Sequence, residues 1–211
     1  MVDVDQLEAL TTSFLTLGRL HLKAPDEATL AAIRGMLDEW PLPAEGHTGV
    51  GLGALQESAD HFESAEAIRV DHDRLYGVSA RAAVAPFESV HRSDDGLVFD
   101  VQTLEVRQAY TQLGLQAPNL NREPDDHIGL EFDFIGQALL GAMDARDHGL
   151  DADPEFDVAA AFLNEHLLTW APAMLTAVTQ AADTAFMRGV AELSLGALDG
   201  LTTLLSNRSS L

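Results

Sequence analysis

The sequence predicts an all-α fold: one multi-helix domain over residues 1–211, with about nine or ten helices around a buried central helix. Three observations predict it. Apolar residues recur at steps of three and four along nearly the whole chain, no stretch alternates as a strand ladder would, and no internal repeat is present. With 211 residues and 46% apolar content, the chain can bury a core without disulfides, and it contains no cysteine. Thiol catalysis and thiolate-held metal clusters are thereby excluded.

Leu7, Leu10, Phe14 and Leu17 share one face of a first helix ending near Leu22. Pro25, Asp26 and Glu27 open a second, lined by Leu30, Ile33 and Leu37, because proline tolerates a first turn and acids suit the positive end of the helix dipole. Residues 41–53, PLPAEGHTGVGLG, read as a turn-rich connection. Their G-x-G-x-G spacing, with no strand before it, makes no dinucleotide fingerprint. A helix from Ser64 to Tyr76 ends at Gly77, and the chain to Phe99 reads as irregular, with Pro86 and a turn at Ser93–Gly96. So long a non-helical run in a compact domain more often serves a function than not.

Helicity returns from Asp100 to Leu113 and stops at Gly114 and Pro118. The most apolar helix follows, about Asp125 to Ala145. Ile128, Phe132, Ile135, Leu139 and Met143 form one stripe on it, while Leu130 and Phe134 lie on another face, as expected of the central helix. After a break at 149–154, Phe156, Ala160, Leu163 and Leu167 form a stripe, and Pro172 marks a restart or a kink. Phe186, Val190, Leu193, Ala197, Leu201 and Leu204 run along a last helix.

Thirty-four acidic residues face 12 basic ones, a formal charge of −22, and Lys23 is the only lysine. Nucleic acid and anionic membrane surfaces are poor partners for such a chain, and a cationic partner suits it. Solubility, or adaptation to a salt-rich interior, accounts for the bulk of the charge. No 18-residue apolar stretch exists, and the N-terminus carries acids where a secretory signal carries Lys or Arg, so a cytoplasmic location without membrane insertion is expected.

Two catalytic patterns find only partial counterparts in the sequence. His61, His72 within Asp71-His72-Asp73, and Asp126 loosely match a metal-dependent phosphohydrolase, but neighbouring helical residues point about 100° apart, and a solvated acidic face is the simpler reading. No G-x-S-x-G elbow is present, so Ser89 lacks the setting of a nucleophile. More informative is Glu123-Pro124-Asp125-Asp126-His127-Ile128-Gly129, which reads as a helix start where an exposed loop meets the core, with His127 and Glu131 on one face.

This cluster resembles the Glu-Pro-x-Asp-His-aliphatic-Gly hallmark of the TorD/DmsD/NarJ-like redox-enzyme maturation chaperones. A second hallmark is similar to Leu75-Tyr76-Gly77 followed by Pro86-Phe87-Glu88-Ser89-Val90-His91, and a third to His166, Trp170, Pro172 and Phe186–Arg188. The three cover about residues 64 to 198. His91 and Met187 depart from the aromatics usual there, which thins one wall of a groove. The resemblance implies a helical, non-enzymatic chaperone without a cofactor of its own. Its partners would be the twin-arginine leader and the catalytic subunit of a molybdopterin oxidoreductase, the leader being held during cofactor insertion while export is delayed. On that basis Glu123, Asp126 and Glu131 would accept guanidinium hydrogen bonds, and Tyr76, Phe87, Val90 and Trp170 would line an apolar groove. Pro86, Ser89, His91, Pro124 and His127 complete the expected site. The resemblance is compatible with a monomer or a domain-swapped dimer.

Overall fold

Ten α-helical segments make up the computed structural model, which describes residues 3–77, 82–93 and 95–208. They are α1 (Val4–Leu22), α2 (Glu27–Gly35), α3 (Gly46–Asp60), α4 (Ala65–Tyr76), α5 (Glu88–Arg92), α6 (Val101–Gln112), α7 (Ile128–Asp147), α8 (Asp153–Phe162), α9 (Leu168–Ala181) and α10 (Ala185–Arg208). A 3-10 turn, Leu37–Glu39, follows α2, and a π turn, Leu163–Leu167, joins α8 to α9. The helix starts are built as their sequence proposes: Asp3, Asp26, Ser64 and Asp100 accept backbone N–H groups at the heads of α1, α2, α4 and α6. The described part of the Ser93–Gly96 turn closes with the Gly96 N–H on the Ser93 carbonyl at 3.3 Å, and Asp94 lies outside the described residues.

Two close helix pairs organise the bundle, α1 against α7 and α3 against α10, with α1 also packed on α10. In the first pair a Cβ placed on Gly129 would stand 2.6 Å from the Gly18 carbonyl oxygen and 2.6 Å from Leu22 Cγ. In the second, a Cβ on Gly51 would meet Leu193 Cγ at 2.7 Å, and one on Gly189 would meet Leu55 at 2.8 Å. Glycine lets the backbones approach this closely. Around the pairs, Phe14 packs on Phe132 with ring centroids 4.9 Å apart, and Phe134 bridges Tyr110 and Phe162. Each such buried ring contributes roughly 2–3 kcal/mol. Gly129→Ala is therefore expected to lower stability by about 2–3 kcal/mol, read as a fall of several degrees in Tm.

Several boundaries differ from expectation. Residues 46–53 are not a connection but the first half of α3, because packing against α10 selects small residues there and overrides the weak helix propensity of glycine. Helix α7 begins at Ile128 rather than Asp125: the Ile128 N–H bonds the Pro86 carbonyl at 2.8 Å and the Glu88 N–H bonds the Asp126 carbonyl at 2.9 Å, so this stretch pairs as a single antiparallel bridge. The run before Phe99 contains the short helix α5. Pro172 starts nothing new, since α9 passes through it one turn after the π turn.

Candidate functional site

The bridge between Phe87 and His127 ties two of the motifs together. Asp126 sits beneath it, 0% exposed, where an exposed loop was expected. One carboxylate oxygen accepts the Ser89 N–H at 2.6 Å, in the first turn of α5, and the other accepts the Thr103 hydroxyl of α6 at 2.7 Å. Asp125 is buried as well, paired with the Arg107 guanidinium at 2.6 and 3.3 Å, while its carbonyl accepts the Tyr110 hydroxyl. Both aspartates are thus committed to holding α5, α6 and the head of α7 together. A guanidinium from outside finds neither of them free.

His127 is the N-cap of α7, its Nδ1 accepting the Gly129 N–H at 3.0 Å. That bond keeps Nδ1 unprotonated, and burial, then the nearby His72, push the imidazole down to about 3. Phe87 stands edge-on to this ring at 5.2 Å. Pro86 and Pro124 are buried, and Ser89 is buried with its hydroxyl unpartnered. Glu123 is exposed and accepts from Asn119. Phe87 and Val90 are half-buried and His91 is exposed, stacked on Trp170 at 5.3 Å.

Two of the residues expected in the apolar groove belong to the core instead. Trp170 is 2% exposed, and its indole N–H donates to Glu131 Oε2 at 3.2 Å. Tyr76 is buried in a separate network: Ser194 donates its hydroxyl to the Val190 carbonyl, so it accepts from His21 Nε2 at 2.8 Å, and His21 Nδ1 accepts the Tyr76 hydroxyl at 3.0 Å. His72 Nε2 donates to the His21 carbonyl. Burial, with smaller contributions from His127 and His72, pushes His21 down to about 3. Its contribution to stability is complete above about 6.5, where the unfolded imidazole is neutral too, and declines as pH falls toward 3. We expect about 2 kcal/mol to be lost between pH 6.5 and 5 from this ring, at ~1.4 kcal/mol per pH unit. Urea midpoints at pH 7 and pH 5 test it: His21→Gln should flatten the slope by one proton.

The phosphohydrolase pattern is not assembled. His61 is exposed beside Glu57, His72 is turned to the His21 carbonyl, and Asp71 is no solvated acid: it is buried, accepting the Thr184 N–H and hydroxyl before α10 and the Arg74 guanidinium. Among the described residues no group of three or more His, Asp or Glu could hold a metal ion. Nor is any of their helices long and apolar enough to cross a membrane.

A buried polar cluster lies beside the bridge, and Glu131 alone of its members carries an expected role. Glu88, 0% exposed, accepts His166 Nδ1 at 2.9 and 3.2 Å and the Arg92 guanidinium one turn along α5. Glu131, also 0% exposed, is held well above the usual carboxyl range by burial, then by Glu88 and Asp126. Its Oε1 has no partner. The spacing of Glu88 and Arg92, four apart, was a visible sign of a pair. Nothing local pointed to His166, 78 residues away.

The family model of the nitrate reductase delta subunit matches residues 44–176, a span that includes both halves of the bridge. The chain belongs to this family. As a member of the nitrate reductase delta subunit family it is 27% identical over 149 residues to the chaperone protein TorD of Vibrio cholerae, an alignment covering 70% of this chain and 66% of that one, just under two thirds of its length. The TorD protein of Vibrio parahaemolyticus is 23% identical over 146 residues, covering 67% and 66%, and that of Photobacterium profundum 26% over 106 residues, covering 50% and 49%. A crystal structure described as a redox enzyme maturation protein from Archaeoglobus fulgidus aligns with 92% of this family member and 94% of its own chain, at 17% identity and a TM-score of 0.49.

Proposed function

We propose that this protein is a redox-enzyme maturation chaperone that works in the cytoplasm without catalysis. It binds the N-terminal leader of a molybdopterin oxidoreductase, whose paired arginines and apolar stretch it recognises, and keeps the catalytic subunit from export until the cofactor is in place. The family match over residues 44–176 is the observation that carries this reading. Chemistry supports it: the chain carries a formal charge of −22, and half-buried Phe87 and Val90 lie with exposed His91 and Glu123 on the two motif segments. An acidic surface favours encounter with a cationic segment, and side chains that are partly apolar and partly wet suit an extended peptide.

The test is calorimetry of the purified protein against a synthetic peptide with two adjacent arginines and a following apolar stretch, beside the same peptide with both arginines replaced by glutamine. Tighter binding of the arginine peptide at low salt is expected, with the preference shrinking as salt is added. Equal binding of the two would overturn arginine recognition. Divalent-metal-dependent phosphatase activity in the same preparation would overturn the non-enzymatic reading.

A further inference from the structure

We propose that Glu88 and the Glu165 carbonyl form a guanidinium-binding site which, in the free protein, is filled by the chain's own Arg92, and that an arginine of the bound partner takes its place. This assignment rests on the arginine-recognition reading above and moves its centre from Asp126 to Glu88. The Glu88 carboxylate is wholly buried, yet the cation paired with it reaches it from outside: the Arg92 side chain is 30% exposed. Arg92 Nη1 bonds Glu88 and also the Glu165 carbonyl, at 3.0 Å, so the site is lined by α5 on one side and the π turn on the other. A resident guanidinium thus states what chemistry the site accepts.

The resident is poorly matched to that site. Among the described residues both of its contacts run through one nitrogen, Nη1, whereas a guanidinium offers five N–H donors and binds a carboxylate best through two of them in parallel. Arg92 approaches from one helical turn along a five-residue helix, a geometry that restricts it. An arginine on a separate chain is free of that restriction. Asp125 and Asp126 are saturated by Arg107, Thr103 and the α5 backbone, so Glu88 is the buried carboxylate of this cluster whose cation can be exchanged without unpicking the bundle. His166 Nδ1 stays on Glu88 and keeps the carboxylate from being left bare during the exchange.

Arg92→Gln and Arg92→Lys test the exchange, each titrated by calorimetry with the arginine peptide and its glutamine counterpart described above. Melting temperatures verify that both variants fold, and the lysine variant keeps the charge should the glutamine variant not fold. Arg92→Gln is expected to bind the arginine peptide about tenfold more tightly than the parent does, with Arg92→Lys in between and the glutamine peptide unaffected. The His166 imidazole 15N resonances provide a local readout. Adding the arginine peptide should shift them in every variant, because the group on Glu88 is being replaced. If the parent prefers the arginine peptide but Arg92→Gln gains nothing and His166 is silent, the exchange is overturned while arginine recognition stands. If no variant distinguishes the peptides, both fall.

Discussion

Asp126→Ala is expected to destabilise the protein by about 4 kcal/mol, far more than the loss of a helix-end charge. Hydrogen bonds to an ionised group contribute roughly 1.5–3 kcal/mol each, and the carboxylate makes two, to the Ser89 N–H and the Thr103 hydroxyl, both buried. Alanine leaves both donors unpaired in the core. Asp126→Asn retains an acceptor for one of them but must point its amide at the other, so about half of that cost should remain. Denaturant midpoints for Asp126→Ala, Asp126→Asn and Thr103→Val measure this. Thr103→Val, which removes one bond and leaves the buried Asp126 Oδ1 without its partner, should cost about 2 kcal/mol. A loss below 1 kcal/mol for Asp126→Ala would mean that α5 is held by something else. Because the Asp126 carbonyl also carries the Glu88 N–H, a weakened partner affinity in these variants would arise from displaced α5 and not from a lost contact to the partner.

Glu131→Gln is expected to do the opposite and stabilise the fold, increasingly so as pH rises. The folded carboxyl titrates well above its usual 4.5, first because it is buried and second because Glu88 and Asp126 are near. Between the unfolded and folded values the native state carries a proton that the unfolded chain has released, so stability falls with rising pH. Each pH unit over which the buried carboxyl stays protonated adds about 1.4 kcal/mol to the advantage of the neutral amide. Glutamine keeps an acceptor for the Trp170 indole N–H, so the packing need not change. Denaturation at pH 4.5 and pH 7.5 is the measurement: near-equality at the lower pH and a clear gain at the higher is the expected pair. Equal stabilities at both would show that Glu131 ionises normally and is hydrated.

How the sequence reads depends on the reach of each signal. Helices α1, α2, α4, α6 and α10 were legible because capping residues and apolar steps of three and four lie within one segment. The α3 glycines misled because their reason lies on α10, about 140 residues away, where Leu193 and Gly189 leave no room for a side chain. The motif around Asp126 was legible as a position of consequence, yet its burial was not. A carboxylate at a helix start looks the same in sequence whether it faces water or a backbone N–H from residue 89. Gly129 has a plain physical meaning, the close crossing of α1 and α7. Glu88 and His166 were quoted within the motifs but given no role, since their pairing arises only when α5 meets the π turn.

That π turn has a geometric consequence for the carboxylate cluster. Residues 163–167 hold one residue more than an α-helical turn would, so in the rod from Asp153 to Ala181 every side chain after them is out of phase with those before by about 100°. His166 meets Glu88 from within the turn and Trp170 meets Glu131 from just beyond it. Removing one residue from 163–167 would let the rod relax into an unbroken α-helix, an edit a helix usually tolerates badly. Here it would leave a regular rod whose indole and imidazole no longer aim at the acids. The extra residue acts as a gear tooth, setting the rotation at which one half of the rod engages the cluster while the other half stays meshed with the apolar core.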